Sequence, residues 1–230
     1  KIAMKLDDGV EMVNARICSE DDDVMLVTNS GRAIRFPSTE VRVFKGRDST
    51  GVRGSRLTNG DRVVSMSVIR HFAATPEDRD AYLKMRRAVA GLTDEDATED
   101  EEVSASSSFS NDKYVAMSAA ENLILTITAK GLGKLSSSHD YPVRGRGGMG
   151  VAAWEKTMRG GSVVASFPVE IDDQIMLVTT TGQSIRVPVD GISFRSRSAG
   201  GVKVFDTAQG EEVASVAWIA EQGEEDDAEE

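Results

Sequence analysis

One pattern decides the fold, and its three copies read Val24-Met25-Leu26-Val27-Thr28-Asn29-Ser30-Gly31, Ile124-Leu125-Thr126-Ile127-Thr128-Ala129-Lys130-Gly131 and Ile175-Met176-Leu177-Val178-Thr179-Thr180-Thr181-Gly182. Each copy is an apolar, β-branched run that ends at a glycine, which is the pattern of a strand entering a hairpin turn. The last two of these glycines are 51 residues apart. A regular repeat of this length indicates a protein built from copies of one structural unit.

A closing strand gives the repeat a fourth copy. It starts with a glycine turn and continues with apolar residues after Gly9, Gly60, Gly161 and Gly210. Only the interval between Ile69 and Ile124 is too long, by about 49 residues, which indicates an insertion. Four short strands per unit predict an all-β fold, a β-propeller or β-pinwheel of repeated four-stranded blades with one inserted helix and loop. A two-sheet sandwich is the competing fold, but it would not need so regular a repeat.

The repeat divides the chain into six segments. They are 1–22 (the end of a truncated preceding blade), 23–69 (a blade), 70–123 (the insert, leading into the next blade), 124–169 (a blade), 170–220 (the last blade) and 221–230 (an acidic, disordered tail). Three blades and a fraction cannot close a ring of four to eight. We therefore expect a fragment of a longer propeller, with closure by self-association as the alternative.

The insert is expected to contain one helix, at about 76–89. Thr75 is suited to cap its N-terminus and Pro76 to occupy its first position. After Gly91 the sequence becomes acidic and Ser-rich, which predicts a loop.

Composition limits the classes of protein to which the chain can belong. Of its 230 residues, 40% are hydrophobic and 28% are charged, as in ordinary globular proteins. No apolar run approaches the roughly 20 residues of a membrane-spanning helix, and the N-terminus has no signal-peptide pattern. The single cysteine, Cys18, cannot form an internal disulfide, and it is too far in sequence from the two histidines for a structural zinc site. We expect a cytoplasmic protein with no metal site and no membrane partner.

The net charge of −11 is distributed unevenly. Residues 76–112 carry 11 acidic and four basic residues, and residues 221–230 carry seven acidic and no basic residues. The remainder has 20 acidic and 23 basic residues, a net charge of +3. A mildly basic body is compatible with nucleic-acid binding. Acidic blocks are usually solvated segments, although the tail could also compete with DNA for a basic groove.

Each unit carries a Gly/Arg loop at the same register, between its second and third strands. The copies read Lys45-Gly46-Arg47-Asp48-Ser49-Thr50-Gly51-Val52, Arg144-Gly145-Arg146-Gly147-Gly148-Met149-Gly150-Val151 and Arg195-Ser196-Arg197-Ser198-Ala199-Gly200-Gly201-Val202. Small residues allow the backbone to approach a phosphodiester, and arginines make bidentate phosphate contacts. One such loop per blade would form a basic belt on one edge of a disc, suited to bending duplex DNA without reading bases. The alternative is that the loops only build tight blade corners, with each arginine paired to a nearby carboxylate.

The candidate DNA-binding residues are the cations of these loops and their flanks. They are Lys45, Arg47, Arg53, Arg56, Lys134, Arg144, Arg146, Arg186, Arg195, Arg197 and Lys203. Four other side chains carry structural expectations: Trp154 and Trp218 in core or inter-blade packing, Cys18 in the core and His139 at the surface.

The combination resembles the C-terminal domain of DNA gyrase A subunits, the six-bladed β-pinwheel of bacterial type IIA topoisomerases. The phrases that carry the resemblance are Gly31-Arg32-Ala33-Ile34-Arg35-Phe36, Gly51-Val52-Arg53-Gly54, Tyr141-Pro142-Val143-Arg144-Gly145-Arg146-Gly147-Gly148-Met149-Gly150-Val151 and Asp172-Asp173-Gln174-Ile175-Met176-Leu177-Val178-Thr179. The resemblance implies a domain that wraps double-stranded DNA around its rim, so that an ATP-dependent holoenzyme introduces negative supercoils. It also implies the rest of gyrase A and gyrase B as partners in an A2B2 heterotetramer, and a bacterial cytoplasmic location at the nucleoid.

The sequence departs from the family pattern in one motif. In the family, the gyrase A box, Gln-Arg-Arg-Gly-Gly-Lys-Gly, belongs to the first blade, which we do not expect among these 230 residues. The segment Arg144 to Gly150 is similar, but it has Arg144 in place of the Gln and Met149 in place of the Lys, as a later-blade counterpart would. The related C-terminal domain of the topoisomerase IV A subunit is the close alternative.

The chain itself is expected to be catalytically inert. The family's cleavage reaction needs a tyrosine beside an arginine in an N-terminal domain, and Tyr82, Tyr114 and Tyr141 do not lie in such a context. There is no P-loop, so ATP and Mg²⁺ would bind other parts of the holoenzyme and this chain would hold no cofactor. A protein-interaction propeller is the alternative function, and it would more often show apolar hot spots on a disc face. An enzymatic propeller would need carboxylates or metal ligands recurring in register, and none recur.

Overall fold

The computed structural model describes residues 4–89 and 109–219. Within these ranges the chain forms the strands β1 (Asp22–Thr28), β2 (Arg32–Pro37), β3 (Val63–Arg70), β4 (Leu123–Thr128), β5 (Leu132–Ser137), β6 (Val151–Ala152), β7 (Val163–Val169), β8 (Gln174–Thr179), β9 (Ser184–Pro188), β10 (Val202–Lys203) and β11 (Val213–Ile219). Two helices, α1 (Pro76–Val89) and α2 (Asn111–Ala119), lie between β3 and β4. Short 3-10 helices follow β2, β5 and β9, at Ser38–Glu40, Ser138–Asp140 and Val189–Gly191.

The strands form three antiparallel sheets, which are the blades. In the first blade the strand order is β3-β1-β2-β6, and in the second it is β7-β4-β5-β10. The third blade has three strands in the order β11-β8-β9. The fold class predicted from the repeat, an all-β propeller of repeated four-stranded blades, is confirmed.

Each four-stranded blade takes its fourth strand from the following unit of the repeat. Strand β6 pairs with β2 of the first blade, and β10 pairs in the same way with β5 of the second. Gly150, just before β6, has a positive φ of 69° and lies against the Ala33 carbonyl, which a Cβ atom would strike. A glycine at this position therefore permits the exchanged strand to approach.

The hydrophobic core lies between consecutive blades. The cluster between the first and second blades consists of Met25, Val27, Ala33, Ile69, Ile124, Tyr141, Ala153, Trp154 and Val163. A second cluster between the second and third blades includes Leu125, Ile127, Leu135, Ile175 and Leu177. Strand β4 contributes to both clusters, since successive side chains of a strand point to opposite faces. Each buried aliphatic side chain contributes roughly 1.5–3 kcal/mol to stability.

The two tryptophans differ in their exposure to solvent. Trp154 is 1% exposed in the first core cluster, as predicted. Trp218 is 54% exposed, so its predicted inter-blade packing is wrong in this structure. It lies on β11, in a blade whose outer face no other blade of the described residues covers.

The insert folds as a pair of helices. Thr75 accepts a hydrogen bond from the Asp78 N–H at 3.1 Å and so caps α1, and Ser110 caps α2 by accepting from the Lys113 N–H at 3.2 Å. The helices share a small core of Tyr82, Leu83 and Met117. Helix α2 was not predicted from the sequence, which indicated one helix, at about 76–89, and a loop after it.

The segment before β1 contains no strand in its described part, residues 4–21. Its side chains are open to solvent: Met12 is 64% exposed, Ile17 fully exposed, and the prediction that Cys18 is a core residue is wrong. In the three blades the closing strand pairs with the opening strand of its own blade.

No helix in the described residues is long and apolar enough to cross a membrane.

Candidate nucleic-acid interface

Strand exchange determines where the Gly/Arg loops lie. We call Lys45–Gly51 the leading loop, Arg144–Gly150 the middle loop and Arg195–Gly201 the last loop. The middle loop precedes β6 and therefore lies at the junction of the first and second blades, and the last loop precedes β10 at the next junction. The first residue of each loop makes the same contact, since the Arg144 N–H donates to the Arg35 carbonyl and the Arg195 N–H to the Leu135 carbonyl, both at 2.8 Å. The middle and last loops thus share one register on successive blades, and we call these two the junction loops.

Arg146 of the middle loop contacts the preceding unit of the repeat through Glu40 and Arg53. Its N–H donates to a carboxylate oxygen of Glu40 at 2.8 Å, and its guanidinium Nε donates to the Glu40 carbonyl at 2.9 Å. A terminal nitrogen of the guanidinium donates to the Arg53 carbonyl at 3.1 Å. Arg146 nevertheless stays exposed. It can therefore hold the loop and still face a ligand.

Arg197 repeats this arrangement in the last loop. Its N–H donates to the Asp140 carboxylate at 2.7 Å, and its guanidinium donates to the Ala152 carbonyl at 2.9 Å. The Arg197 Nε lies 3.3 Å from the second oxygen of Asp140, with only 14% of the side chain exposed. For the second arginine of each loop, the corner-building interpretation thus describes much of the geometry. The acids involved, Glu40 and Asp140, were not predicted from the sequence, although each stands nine residues after a repeat glycine.

Arg144 presents the freest cation of the two junction loops. Its side chain is exposed, and no hydrogen bond or ion pair of its guanidinium forms within the described residues. The equivalent Arg195 is partly buried. The middle loop therefore offers more accessible positive charge than the last loop.

Lys134 does not belong to the surface. Its side chain is fully buried, and its ammonium donates to the carbonyls of Ser196 at 2.9 Å, Arg197 at 2.5 Å and Ala199 at 2.6 Å. The nitrogen also lies 5.0 Å from the centre of the Trp154 ring. Burial lowers the pKa of Lys134 to about 7. The sequence-based assignment of Lys134 to the DNA interface is thus corrected, because it fixes the last loop from beneath and is out of reach of a phosphate.

Arg32 has a comparable role under the middle loop, which the sequence analysis did not assign. Its guanidinium donates to the Met149 carbonyl at 3.1 Å and to the Gly150 carbonyl at 2.7 Å. Both junction loops are therefore held by a cation of the preceding blade that binds loop carbonyls. These contacts hold each loop in one conformation before any ligand arrives.

The leading loop differs from the junction loops, because no blade of the described residues lies beside it. Lys45 and Arg47 are both exposed. A backbone hydrogen bond of 3.2 Å from the Lys5 N–H to the Ser49 carbonyl ties the loop to the N-terminal segment. The leading loop has basic character like the others but lacks their anchoring.

The remaining candidate cations lie on the flanks and are exposed: Arg53, Arg56, Arg186 and Lys203. The Arg56 N–H donates to the Gly148 carbonyl at 2.8 Å, which places this residue beside the middle loop. Lys203 forms an exposed ion pair with Asp206 at 3.0 Å, and such pairs contribute little to stability. Arg186 lies on β9, the strand at the open edge of the third blade.

Comparison with known protein families assigns this architecture to one of them. The model of the family "DNA gyrase C-terminal domain, beta-propeller" matches residues 22–70, 122–169 and 173–217, which cover all but the last two strand residues of the three blades. The chain belongs to this family.

Curated relatives agree with the family assignment. The chain is 44% identical over 239 residues to the DNA gyrase A protein of Granulibacter bethesdensis, 37% over 227 residues to that of Rickettsia felis and 31% over 227 residues to that of Escherichia coli. The alignments cover 98%, 97% and 99% of this chain, but only 25%, 25% and 20% of the relatives. The chain thus spans a quarter or less of the length of these relatives.

Two solved structures share the fold. One is a DNA gyrase A C-terminal domain, with a TM-score of 0.65 and 21% identity, covering 94% of this chain and 57% of that one. The other is the C-terminal domain of DNA topoisomerase IV, with a TM-score of 0.67 and 20% identity, covering 95% of this chain and 53% of that one. At such identities the likeness concerns the fold alone.

The helical insert lies outside the residues matched by the family, and it packs beside the junction loops. The Tyr82 ring of α1 lies 5.0 Å from the ring of His139, which also hydrogen-bonds the Met117 carbonyl of α2 at 2.8 Å. The Arg86 guanidinium lies 4.8 Å from the centre of the Phe194 ring, directly before the last loop. His139 is therefore buried, and its predicted surface position is wrong. Burial also lowers the pKa of His139, because desolvation disfavours the charged ring.

Within the part of the chain that the structure describes, no group of three or more His, Cys, Asp or Glu residues is arranged to hold a metal ion.

Proposed function

We propose that this chain is the DNA-binding and DNA-wrapping region of a gyrase A protein. The observation that carries the proposal is the equivalence of the middle and last loops, which lie in one register at successive blade junctions and begin with the same backbone contact. Structures that repeat at a fixed step around a disc can contact a duplex at successive turns. The family membership and the gyrase relatives support the same function and favour gyrase over topoisomerase IV.

Binding is electrostatic in this proposal. Cations neutralise phosphates and release counterions, so affinity depends steeply on salt. The cations assigned to this role are the exposed or partly exposed ones: Lys45, Arg47, Arg53, Arg56, Arg144, Arg146, Arg186, Arg195, Arg197 and Lys203. Arg146 and Arg197 also fix their loops, so they combine anchoring with phosphate contact.

The repeated loops supply the phosphate contacts that offset the cost of bending the duplex. Bending a site of 20–30 base pairs costs on the order of 1–6 kcal/mol. A single loop cannot offset this cost, but contacts that recur at each junction add up along the bent duplex. Contacts to phosphates carry no direct sequence information, so the wrapping is expected to depend little on base sequence.

The gyrase relatives support a proposal about the activity of the whole protein. We infer that the chain acts within an ATP-hydrolysing type IIA topoisomerase that introduces negative supercoils into DNA. The rest of gyrase A and gyrase B are its partners in an A2B2 assembly, in the bacterial cytoplasm at the nucleoid. The nucleophilic tyrosine and the ATP and Mg²⁺ sites belong to other parts of that enzyme.

The test is the affinity for a duplex of about 40 base pairs over a salt series, with wild type compared with Arg144→Glu. Arg144 is chosen because it makes no side-chain contact that its replacement would break. We expect log K of the wild type to fall linearly with log salt. The variant should bind about tenfold more weakly near 0.1 M salt, with a slope smaller by about 0.9 for each phosphate that it no longer neutralises.

The control is Lys130→Glu, which makes the same charge change at an exposed turn between β4 and β5. Its effect should be clearly smaller than that of Arg144→Glu. Circular dichroism would establish that all three proteins are folded. Weak binding that does not respond to salt or to Arg144→Glu would contradict the proposal and favour the protein-interaction propeller.

A further inference from the structure

The insert is positioned to reach the same surface as the junction loops. Helix α1 packs against the 3-10 helix Ser138–Asp140, which is directly followed by the segment that leads into the middle loop. Farther along α1, the Arg86 guanidinium lies on Phe194, which leads into the last loop. The helix therefore lies beside both junction loops.

Arg79 occupies the face of α1 that is directed at the blades. It precedes Tyr82 by three residues and Arg86 by seven, and residues at these spacings share one face of a helix. Because Tyr82 contacts His139 and Arg86 contacts Phe194, this shared face is the one that meets the blades.

The side chain of Arg79 is partly buried. Its Nε is shielded from solvent and makes no hydrogen bond. Burial lowers the pKa of Arg79; the nearby guanidinium groups of Arg144 and Arg197 lower it too, and Asp80 and Asp140 act in the opposite direction. Asp140 is already bound to Arg197. A partly buried arginine beside other arginines is costly unless an anion joins them.

We propose that Arg79 is a DNA-binding residue of the insert, which together with Arg144 holds one backbone phosphate between the middle and last loops. The inference rests on the proposed function, because the anion is a phosphate of the wrapped duplex. It makes the insert part of the DNA-binding surface, in a region outside the residues matched by the family.

The experiment measures duplex affinity over a salt series for the full 230-residue chain and three variants, Arg79→Gln, Arg144→Gln and the double variant. Arg79→Gln should weaken binding about three- to tenfold near 0.1 M salt and lower the slope by about 0.9. If both arginines hold the same phosphate, the double variant should lose less than the product of the two single effects. The matched control is Lys84→Gln, which removes one exposed charge from α1 and should leave affinity and slope unchanged.

The outcomes separate this inference from the function on which it rests. Weaker binding of Arg144→Gln together with unchanged binding of Arg79→Gln would overturn the role of Arg79 alone. Tighter binding of Arg79→Gln would overturn it too, and would mean that the insert keeps DNA away. Wild-type binding without salt dependence would overturn the proposed function. If Arg79→Gln does not fold, Arg79→Met decides: the role is supported if affinity and slope both fall, and is overturned if both are unchanged.

Discussion

A lysine ammonium has three N–H donors, and Lys134 gives each of them to a carbonyl of the last loop. This contact explains why a charged side chain is tolerated in a fully buried position. The neutral amine has only two donors, so it would leave one carbonyl without a partner. Removing such a partner costs about 1–3 kcal/mol. The protonation of one buried residue is thereby coupled to the conformation of a loop assigned to DNA binding.

The stability of this site should depend on pH. Burial lowers the pKa of Lys134 to about 7 in the folded chain, from an ordinary value of 10.5, because the desolvation of the ammonium outweighs the contribution of its carbonyl contacts. Between these values the unfolded chain holds the proton and the folded chain releases it, so the free energy of unfolding rises with pH by up to about 1.4 kcal/mol per unit. Below pH 7 Lys134 is protonated in both the folded and the unfolded chain, so its contribution to the unfolding free energy no longer changes with pH.

The measurement is urea unfolding of wild type and Lys134→Met between pH 6 and pH 9. The difference in unfolding free energy, wild type minus variant, should be flat below pH 7 and increase above it. A difference that stays constant over the whole range would show that Lys134 titrates normally or not at all in the folded chain.

At the level of secondary-structure elements, strand exchange links the junction loops, to which we assign DNA binding, to the stability of the propeller. Strands β6 and β10 are two residues long, and each joins one unit to the blade formed by the preceding unit. The junction loops immediately precede these strands. A change that breaks the exchange should therefore also displace the cations of the loop.

Gly150→Ala tests this link. The residue has φ +69°, and a Cβ would strike the Ala33 carbonyl of β2, so we expect a loss of about 3–5 kcal/mol in unfolding free energy. The matched control, Gly182→Ala, has φ +86° and open space around the new Cβ, so it should lose only about 1–2 kcal/mol. Urea denaturation measures both. Equal losses in the two variants would mean that the exchanged strand is not closely packed against β2.

The repeat made the fold class predictable, since strand residues alternate and turn glycines recur at fixed places. The start of α1 could also be predicted from the sequence, because Thr75 and Pro76 are strong helix-start signals. Strand exchange could not be predicted from the sequence, because a two-residue strand carries no periodicity that identifies its partner. The burial of Lys134 was hidden for a similar reason: the alternation of β5 indicates which residues share a face, but not that loop carbonyls from the next unit cover one face.

At the scale of the whole molecule, charge separates the propeller from its appendages. The acidic residues concentrate in residues 76–112 and in the tail, and the rest of the chain has a net charge of +3. Residues 90–108 and 220–230 lie outside the described residues, so the predicted acidic loop and tail remain predictions from sequence. The overall charge of −11 would disfavour DNA binding if it were spread evenly. Because it is segregated, the basic loops retain a local potential that attracts phosphate.

The tail is therefore expected to tune DNA binding by competing for the basic loops. Residues 221–230 carry seven carboxylates and no cation, so their removal should increase duplex affinity, most strongly at low salt, where electrostatic competition is least screened. The measurement compares the full chain, the chain ending at Ala220 and a full-length variant in which the seven acids are replaced by Asn or Gln. The substituted tail should bind DNA like the truncated chain, because the competition arises from charge and not from length. If both altered proteins bind with the affinity of the wild type at low salt, the tail does not reach the DNA-binding surface.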